Sequence, residues 1–201
     1  MEQLLEGYRR FRKTEWPERR AVFETLARHG QAPRAMVVAC SDSRIDPAMI
    51  FGAGPGEMFI LRNVANLVPP SQPDSKFHAA SAALEFAVRV LEVPDLIVLG
   101  HAMCGGVKAL LEGADNPAID FLLPWMRIAE PAKRRALACD PADPQTACEL
   151  ETVKLSLENL RTFPWIAERA DAGRLRLHGA TFDIRTGILS ILQPDGSFAP
   201  A

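Results

Sequence analysis

Residues 35–44 read Ala-Met-Val-Val-Ala-Cys-Ser-Asp-Ser-Arg, an apolar run that ends on a thiol, a carboxylate and a guanidinium. A run this short, with no polar alternation, predicts a strand covered on both faces, as in a parallel sheet. Glu57–Leu61 and Asp95–Leu99 have the same character. The latter runs directly into Gly100-His-Ala-Met-Cys-Gly105, so a second group of chemistry-bearing side chains also follows a strand.

The pattern on either side of these strands is helical. Between the second and third lies Lys76–Glu92, with Phe77, Leu84, Val88 and Leu91 on one stripe and Phe86 and Val90 off it. That distribution predicts a helix buried on more than one side. Upstream, Leu4, Leu5, Tyr8 and Phe11 mark the apolar face of a helix whose solvated face carries Arg9, Arg10, Arg12 and Lys13. A second helix is expected from about Pro17 to Arg28, stopped by a left-handed Gly30. Downstream, a short helix follows Gly105-Gly106 to about Glu112, then a proline-broken helical stretch over 117–138. Asp143-Pro144 opens a longer helix to about Thr162. Leu175–Ile184 and Gly187–Leu192 then form a hairpin turning near Arg185-Thr186-Gly187. The expected class is α/β, a mostly parallel central sheet with helices on both faces and a C-terminal hairpin. A single domain over residues 1–201 is expected, with a helical arm at about residues 1–30.

Composition excludes several roles. The 201 residues carry 25 acidic and 23 basic side chains, a net charge of −2, which leaves no basic footprint for nucleic acid or an anionic membrane. No apolar run approaches the ~20 residues that span a bilayer. The charged start Met1-Glu-Gln-Leu-Leu-Glu-Gly lacks the apolar stretch of a signal peptide, so a cytoplasmic protein is expected. There the four cysteines would be thiols or metal ligands rather than disulfides.

Cys40, His101 and Cys104 all sit just past strands, at the edge where open α/β sheets place ligands. Two thiolates and an imidazole with an open fourth position form a catalytic zinc set, whereas a structural site closes with a fourth ligand. Asp42 is the nearby candidate to close it, and Arg44 offers Asp42 a different partner. Cys139 and Cys148 read as small buried apolar residues. His29, His78 and His178 have no cysteine at metal spacing. Cys40 to Arg44 is too short to wrap a phosphate. Gly52-Ala-Gly-Pro-Gly56 contains Pro55 and precedes a strand, so it reads as a turn, not a dinucleotide fingerprint.

QAPRAMVVACSDSR (31–44), GPGEMFILRNVANLV (54–68) and VLGHAMCGGVKAL (98–110) resemble the β-class carbonic anhydrases, in their plant-like branch. SLENLRTFPWI (156–166) and LHGATFDI (177–184) resemble the same family's C-terminal part. The resemblance implies zinc held by Cys40, His101 and Cys104, with Asp42 and Arg44 as the catalytic dyad beside it. It implies substrate contacts from Gln31, Phe59, Val64, Phe86 and Gly105. Phe86 stands where plant-like members often have tyrosine. Val37 stands where a branch with an allosteric bicarbonate site has tryptophan, which speaks against that regulation. The implied activity is reversible hydration of carbon dioxide to bicarbonate and a proton. The implied assembly is a homodimer, extendable to a tetramer or higher, in which Phe59- and Phe86-like side chains reach the partner's zinc. Two rivals use the same residues: hydrolysis of carbon disulfide or carbonyl sulfide, and a non-catalytic zinc module closed by Asp42.

Overall fold

Four parallel strands and two antiparallel ones share a single sheet in a computed structural model that describes residues 1–74, 76, 78–113 and 120–201. In chain order the strands are β1 (Ala35–Cys40), β2 (Met58–Asn63), β3 (Asp95–His101), β4 (Arg176–Asp183), β5 (Ile188–Leu192) and β6 (Phe198–Pro200). Their spatial order is β2-β1-β3-β4-β5-β6, with β1 to β4 parallel and β5 and β6 antiparallel. The chain leaves β1 to one side to form β2, then crosses to its other side to form β3. The ends of β1 and β3 therefore flank the point where strand order reverses, the usual ligand crevice of such sheets.

The apolar runs become central strands because both of their faces are covered. Met36 and Val38 point into a core formed with Leu84, Val88, Val153, Leu160 and Ile166. The helices on that side are α4 (Ala79–Glu85), α8 (Pro144–Leu160) and α9 (Pro164–Asp171). Val37 and Ala39 face the other way, under Ile50 of the short α3 (Pro47–Ile50) and the adjoining Phe51. A third apolar cluster caps the C-terminal edge of the strands. It joins Cys40, Ala65, Cys104 and Cys148 to α5 (Gly105–Glu112), α6 (Leu122–Met126) and α7 (Glu130–Ala138).

Several elements differ from the sequence expectation. The helix expected over 76–92 is regular only from Ala79 to Glu85 and then widens, Leu91 N–H reaching back to the Phe86 carbonyl at 2.9 Å. Such wide turns stand an extra residue out from the helix surface, and Phe86 and Val90 are exposed on it. Phe77 and residues 117–119 lie outside the described residues. Gly30 ends its helix with φ +80° but ψ −169°, an extended mirror-image conformation rather than a left-handed helical one. Its N–H still caps the Leu26 carbonyl. The terminal hairpin gains a third strand, β6, paired with β5. Cys139 is exposed, contrary to its reading as a buried apolar residue, because α7 ends there; Cys148 is buried as expected.

The arm, α1 (Glu2–Thr14) and α2 (Trp16–His29), contains no buried residue. Trp16 stacks on Phe23 and meets Phe11 edge-on, but Leu4 is 74% and Tyr8 58% exposed, so this outer part of the α1 stripe is uncovered among the described residues.

α8 lies close against the sheet at Gly100, where an added Cβ would lie 2.6 Å from Val153 Cγ2. Gly100→Ala is therefore expected to destabilise the fold by about 1–3 kcal/mol through overpacking. Val153→Ala should remove much of that penalty, so the double variant loses less than the two singles added together. Urea denaturation of the three variants checks this; a wild-type midpoint for Gly100→Ala would refute the close contact.

Candidate metal centre

Register fixes two of the three chemical groups. Ala39 pairs with Leu99, so β1 ends on Cys40 where β3 passes through Gly100 to His101. The third comes from the turn after β3, in which Met103 adopts φ +59° and returns the chain so that Cys104 opens α5. The ligand atoms of Cys40, His101 and Cys104 then lie within 4.8 Å of one another, with all three residues buried. The two sulfur atoms are 3.9 Å apart.

The imidazole is oriented by its own backbone. Nδ1 sits 2.9 Å from the Ala102 carbonyl, which can only accept, so Nδ1 carries the proton and Nε2 presents its lone pair. Nε2 is buried without a hydrogen-bond partner among the described residues. A buried nitrogen lone pair is costly to leave unsatisfied, and with two neighbouring thiols it makes a fitting ligand set for zinc. The residues present fit that metal.

The sulfur environment favours charge. Ala65 donates its N–H to Cys40 Sγ at 3.3 Å from a left-handed conformation (φ +64°). The Cys104 thiol, with help from His101 and the Asp42 and Ala65 amides, holds the Cys40 thiol well below its ordinary pKa against the effect of burial. Cys104 is pushed the other way, by its hydrogen bond to Cys40 and by burial. One thiolate is thus favoured by the protein, and the second awaits a cation, which couples metal binding to proton release. Burial opposes charge on His101, yet the Cys40 sulfur, the Ala102 carbonyl and the Asp42 carboxylate together outweigh it and raise the imidazole pKa.

Asp42 lies beside this group, its Oδ2 3.9 Å from His101 Nε2, but both of its oxygens are engaged by Arg44. Oδ1 accepts from Arg44 Nε at 2.9 Å and from the Arg44 backbone N–H at 3.0 Å, while Oδ2 accepts from Nη2 at 2.7 Å. This fork holds the Asp42 carboxyl far below the ordinary carboxylate pKa. Arg44 Nη2 also donates to the Met103 carbonyl at 2.8 Å, joining the first loop to the second.

The expected substrate residues divide into two groups. Val64 packs against the apolar cluster that includes Cys40 and Cys104, and its Cγ1 lies 2.8 Å from where a Cβ on Gly106 would be. Gly105 opens α5 next to Cys104 with nothing crowding its missing side chain. Phe59, Phe86 and Gln31 are elsewhere. Phe59 pairs with Met36 near the start of β1 and packs against Phe86 at 5.7 Å between ring centroids. Gln31 is exposed before β1 begins, at the opposite end of the strand from Cys40. One chain does not bring these three side chains to its own metal group.

Other contributors had little or no sequence signal. Arg62 donates to the carbonyls of Cys40, Asp42 and Ile45, pinning the loop that carries the dyad. Ala65 and Met103 act through main-chain atoms, which side-chain motifs do not reveal. Glu149 donates nothing but accepts the Cys104 N–H at 2.7 Å, and the available sign was a carboxylate in line with buried Val153 and Leu160 on α8. A cavity of about 1170 Å³ is bounded by Arg62, Val64 and Trp125 but by none of the three ligand residues, so it borders the centre rather than containing it.

Comparison with known proteins bears directly on this geometry. A family model described as carbonic anhydrase matches residues 35–189. The chain is 36% identical to beta carbonic anhydrase 3 of Arabidopsis thaliana over 208 aligned positions, covering 100% of this chain and 80% of that one. Among solved structures, the beta-carbonic anhydrase CcaA superposes with a TM-score of 0.93 at 32% identity, over 100% of this chain and 92% of that chain. A tetrameric beta-carbonic anhydrase from Sordaria macrospora superposes at 0.84 with 27% identity, over 98% of each. The strand-end loops, the Cys-His-Cys group and these likenesses lead to one conclusion: the chain belongs to the β-carbonic anhydrase family of enzymes.

Proposed function

We propose that the protein catalyses the reversible hydration of carbon dioxide to bicarbonate and a proton, with zinc held by Cys40, His101 and Cys104. The observation that carries this reading is the buried His101 Nε2 beside two sulfur atoms, without a hydrogen-bond partner among the described residues, with a carboxylate nearby that Arg44 occupies. Bound there, zinc supplies a Lewis acid that lowers the pKa of water toward about 7, making a nucleophile available near neutrality.

The chain's own residues do the rest. Asp42, kept ionised by Arg44, accepts a hydrogen bond from the attacking water and so directs its lone pair at carbon. Arg44 keeps both carboxylate oxygens engaged, which is why Asp42 serves as an orienting group rather than a fourth ligand. Carbon dioxide is apolar and uncharged, so Val64 and the open space at Gly105 suit its approach. As bicarbonate forms, charge grows on oxygen, and the Gln31 amide is suited to donate to it only when a second copy of the chain brings it there, since within one chain it lies at the other end of β1. No observation favours carbon disulfide or carbonyl sulfide, and Arg44's hold on Asp42 disfavours a closed, non-catalytic zinc module.

The position of Phe59, Phe86 and Gln31 supports a homodimer as the smallest active unit, with tetramers built from it. All three sit away from the metal group of their own chain, while the outer part of the α1 stripe, Leu4 and Tyr8, is uncovered among the described residues. A two-fold partner would cover that stripe and bring its aromatic pair to the neighbouring centre, making the two sites equivalent. Residues 1–201 then act as one domain, with the helices of about 1–30 as its arm. Among the described residues no helix is long and apolar enough to cross a membrane. Work in the cytoplasm on a dissolved small molecule is part of the same proposal.

Stopped-flow measurement on the zinc-loaded protein should show carbon dioxide hydration that falls as pH drops below neutrality. Protonation of the nucleophile, not of Asp42, causes that fall: the depressed Asp42 pKa leaves its carboxylate ionised across this range. Asp42→Ala and Arg44→Ala should each lose about 100-fold or more in kcat/KM at matched zinc content. Near-wild-type turnover in either variant would refute the orienting role.

Mixing two inactive variants tests the shared pocket. Cys40→Ser chains and Phe86→Asp chains should each be inactive alone. After subunit exchange, mixed dimers should regain one working site, with intact ligands from one chain facing an intact Phe86 from the other. No recovery after confirmed exchange, or full activity in a monomer, would overturn the dimeric centre.

A further inference from the structure

The peptide group that joins Met103 to Cys104 is gripped at both ends. Its carbonyl oxygen accepts from Arg44 Nη2 at 2.8 Å, and its N–H donates to Glu149 Oε1 at 2.7 Å. Glu149 is 5% exposed on α8, and the same oxygen accepts from Gln145 Nε2 at 3.0 Å. A buried carboxylate is retained only where its hydrogen bonds offset its lost hydration. Here the donors are one side-chain amide and the backbone of a proposed zinc ligand.

The grip falls where the chain is strained. Met103 holds φ +59°, a left-handed conformation that a residue with a Cβ adopts at a cost. The turn needs this conformation for His101 and Cys104 to face the same point. Rotation of the peptide plane would turn the carbonyl from Arg44 and the N–H from Glu149 in a single movement. The charges along the line alternate: Glu149 carboxylate, peptide dipole, Arg44 guanidinium, Asp42 carboxylate. In such a series each hydrogen bond polarises the next, so the links reinforce one another.

We propose that Glu149 is a positioning residue of the catalytic centre: through the Met103–Cys104 peptide it fixes Arg44, and through Arg44 the direction of Asp42, while holding Cys104 in its ligating pose. This rests on the carbon dioxide hydration proposed above. α8 is thereby tied to the dyad by a chain of hydrogen bonds and not merely packed beneath it. The alternative is a staple that attaches the turn to α8 with no effect passing to Arg44.

A double-mutant cycle separates the two. The variants are Glu149→Ala, Glu149→Gln, Arg44→Ala and the two combinations, all compared at matched zinc content. Glu149→Ala should lower kcat/KM for hydration by about 30-fold, and Glu149→Gln, which keeps an oxygen acceptor, by about 3-fold. In the Arg44→Ala background either change should cost little further, because the group through which Glu149 acts is already gone. Equal fold-losses with and without Arg44 would overturn the proposal, as would unchanged kcat/KM in Glu149→Ala. Should the alanine variant fail to fold, the glutamine cycle decides by the same comparison. Zinc affinity, measured by chelator competition, should weaken about 10-fold in Glu149→Ala whether or not Arg44 is present. That readout needs no turnover: a wild-type protein without hydration activity would overturn the reaction, while unchanged zinc affinity would overturn Glu149's hold on Cys104.

Discussion

The parallel register of β1 and β3 is the constraint on which the centre depends. Ala39 opposite Leu99 carries Cys40 alongside Gly100, with His101 next in line. A slip of one residue would turn each side chain to the other face of the sheet and separate the thiol from the imidazole. The register is held by the apolar run that fills both faces of β1 and by the bare Gly100, which lets α8 lie close at the strand end. Packing and metal chemistry are therefore one problem in this chain. The cluster that caps the strands contains Cys40 and Cys104 among its buried members.

Two loops with unusual backbone complete the arrangement. Ala65 and Met103, both left-handed, turn an N–H toward Cys40 and a carbonyl toward Arg44. Strain of this kind persists where the surroundings over-determine it, and it gathers at functional sites. The Asp42–Arg44 fork is short, bidentate and tied to the second loop, so the two loops behave as one unit. Arg62 adds three hydrogen bonds to carbonyls of the first.

Much of this was legible in the sequence, for identifiable reasons. Unbroken apolar runs ending in cysteine and histidine predicted both the parallel strands and the place where their side chains meet. Asp42 and Arg44 were legible because a carboxylate and a guanidinium two residues apart can pair locally. Main-chain contributions from Ala65 and Met103 were not, since they depend on backbone conformation. Glu149 was hidden as one carboxylate among the residues of an otherwise ordinary helix. The widened turn at Phe86–Val90 left no mark beyond two apolar side chains off the stripe, and that feature was read as double-sided burial. β6 is too short, and its Pro200 too poor a ladder residue, to stand out. The residues that one chain keeps apart (Gln31, Phe59 and Phe86 from Cys40) were grouped by family resemblance, and no spacing rule links them.

X-ray absorption at the zinc edge tests the central claim most directly, because it counts the atoms around the metal without reference to activity. Protein purified with about one zinc per chain should show two sulfur scatterers near 2.3 Å and a shell of nitrogen or oxygen at about 2.0–2.2 Å. Cys40→Ser should lose a sulfur or lose the metal. A zinc shell without sulfur, or one made of four sulfur atoms, would contradict a centre built from Cys40, His101 and Cys104.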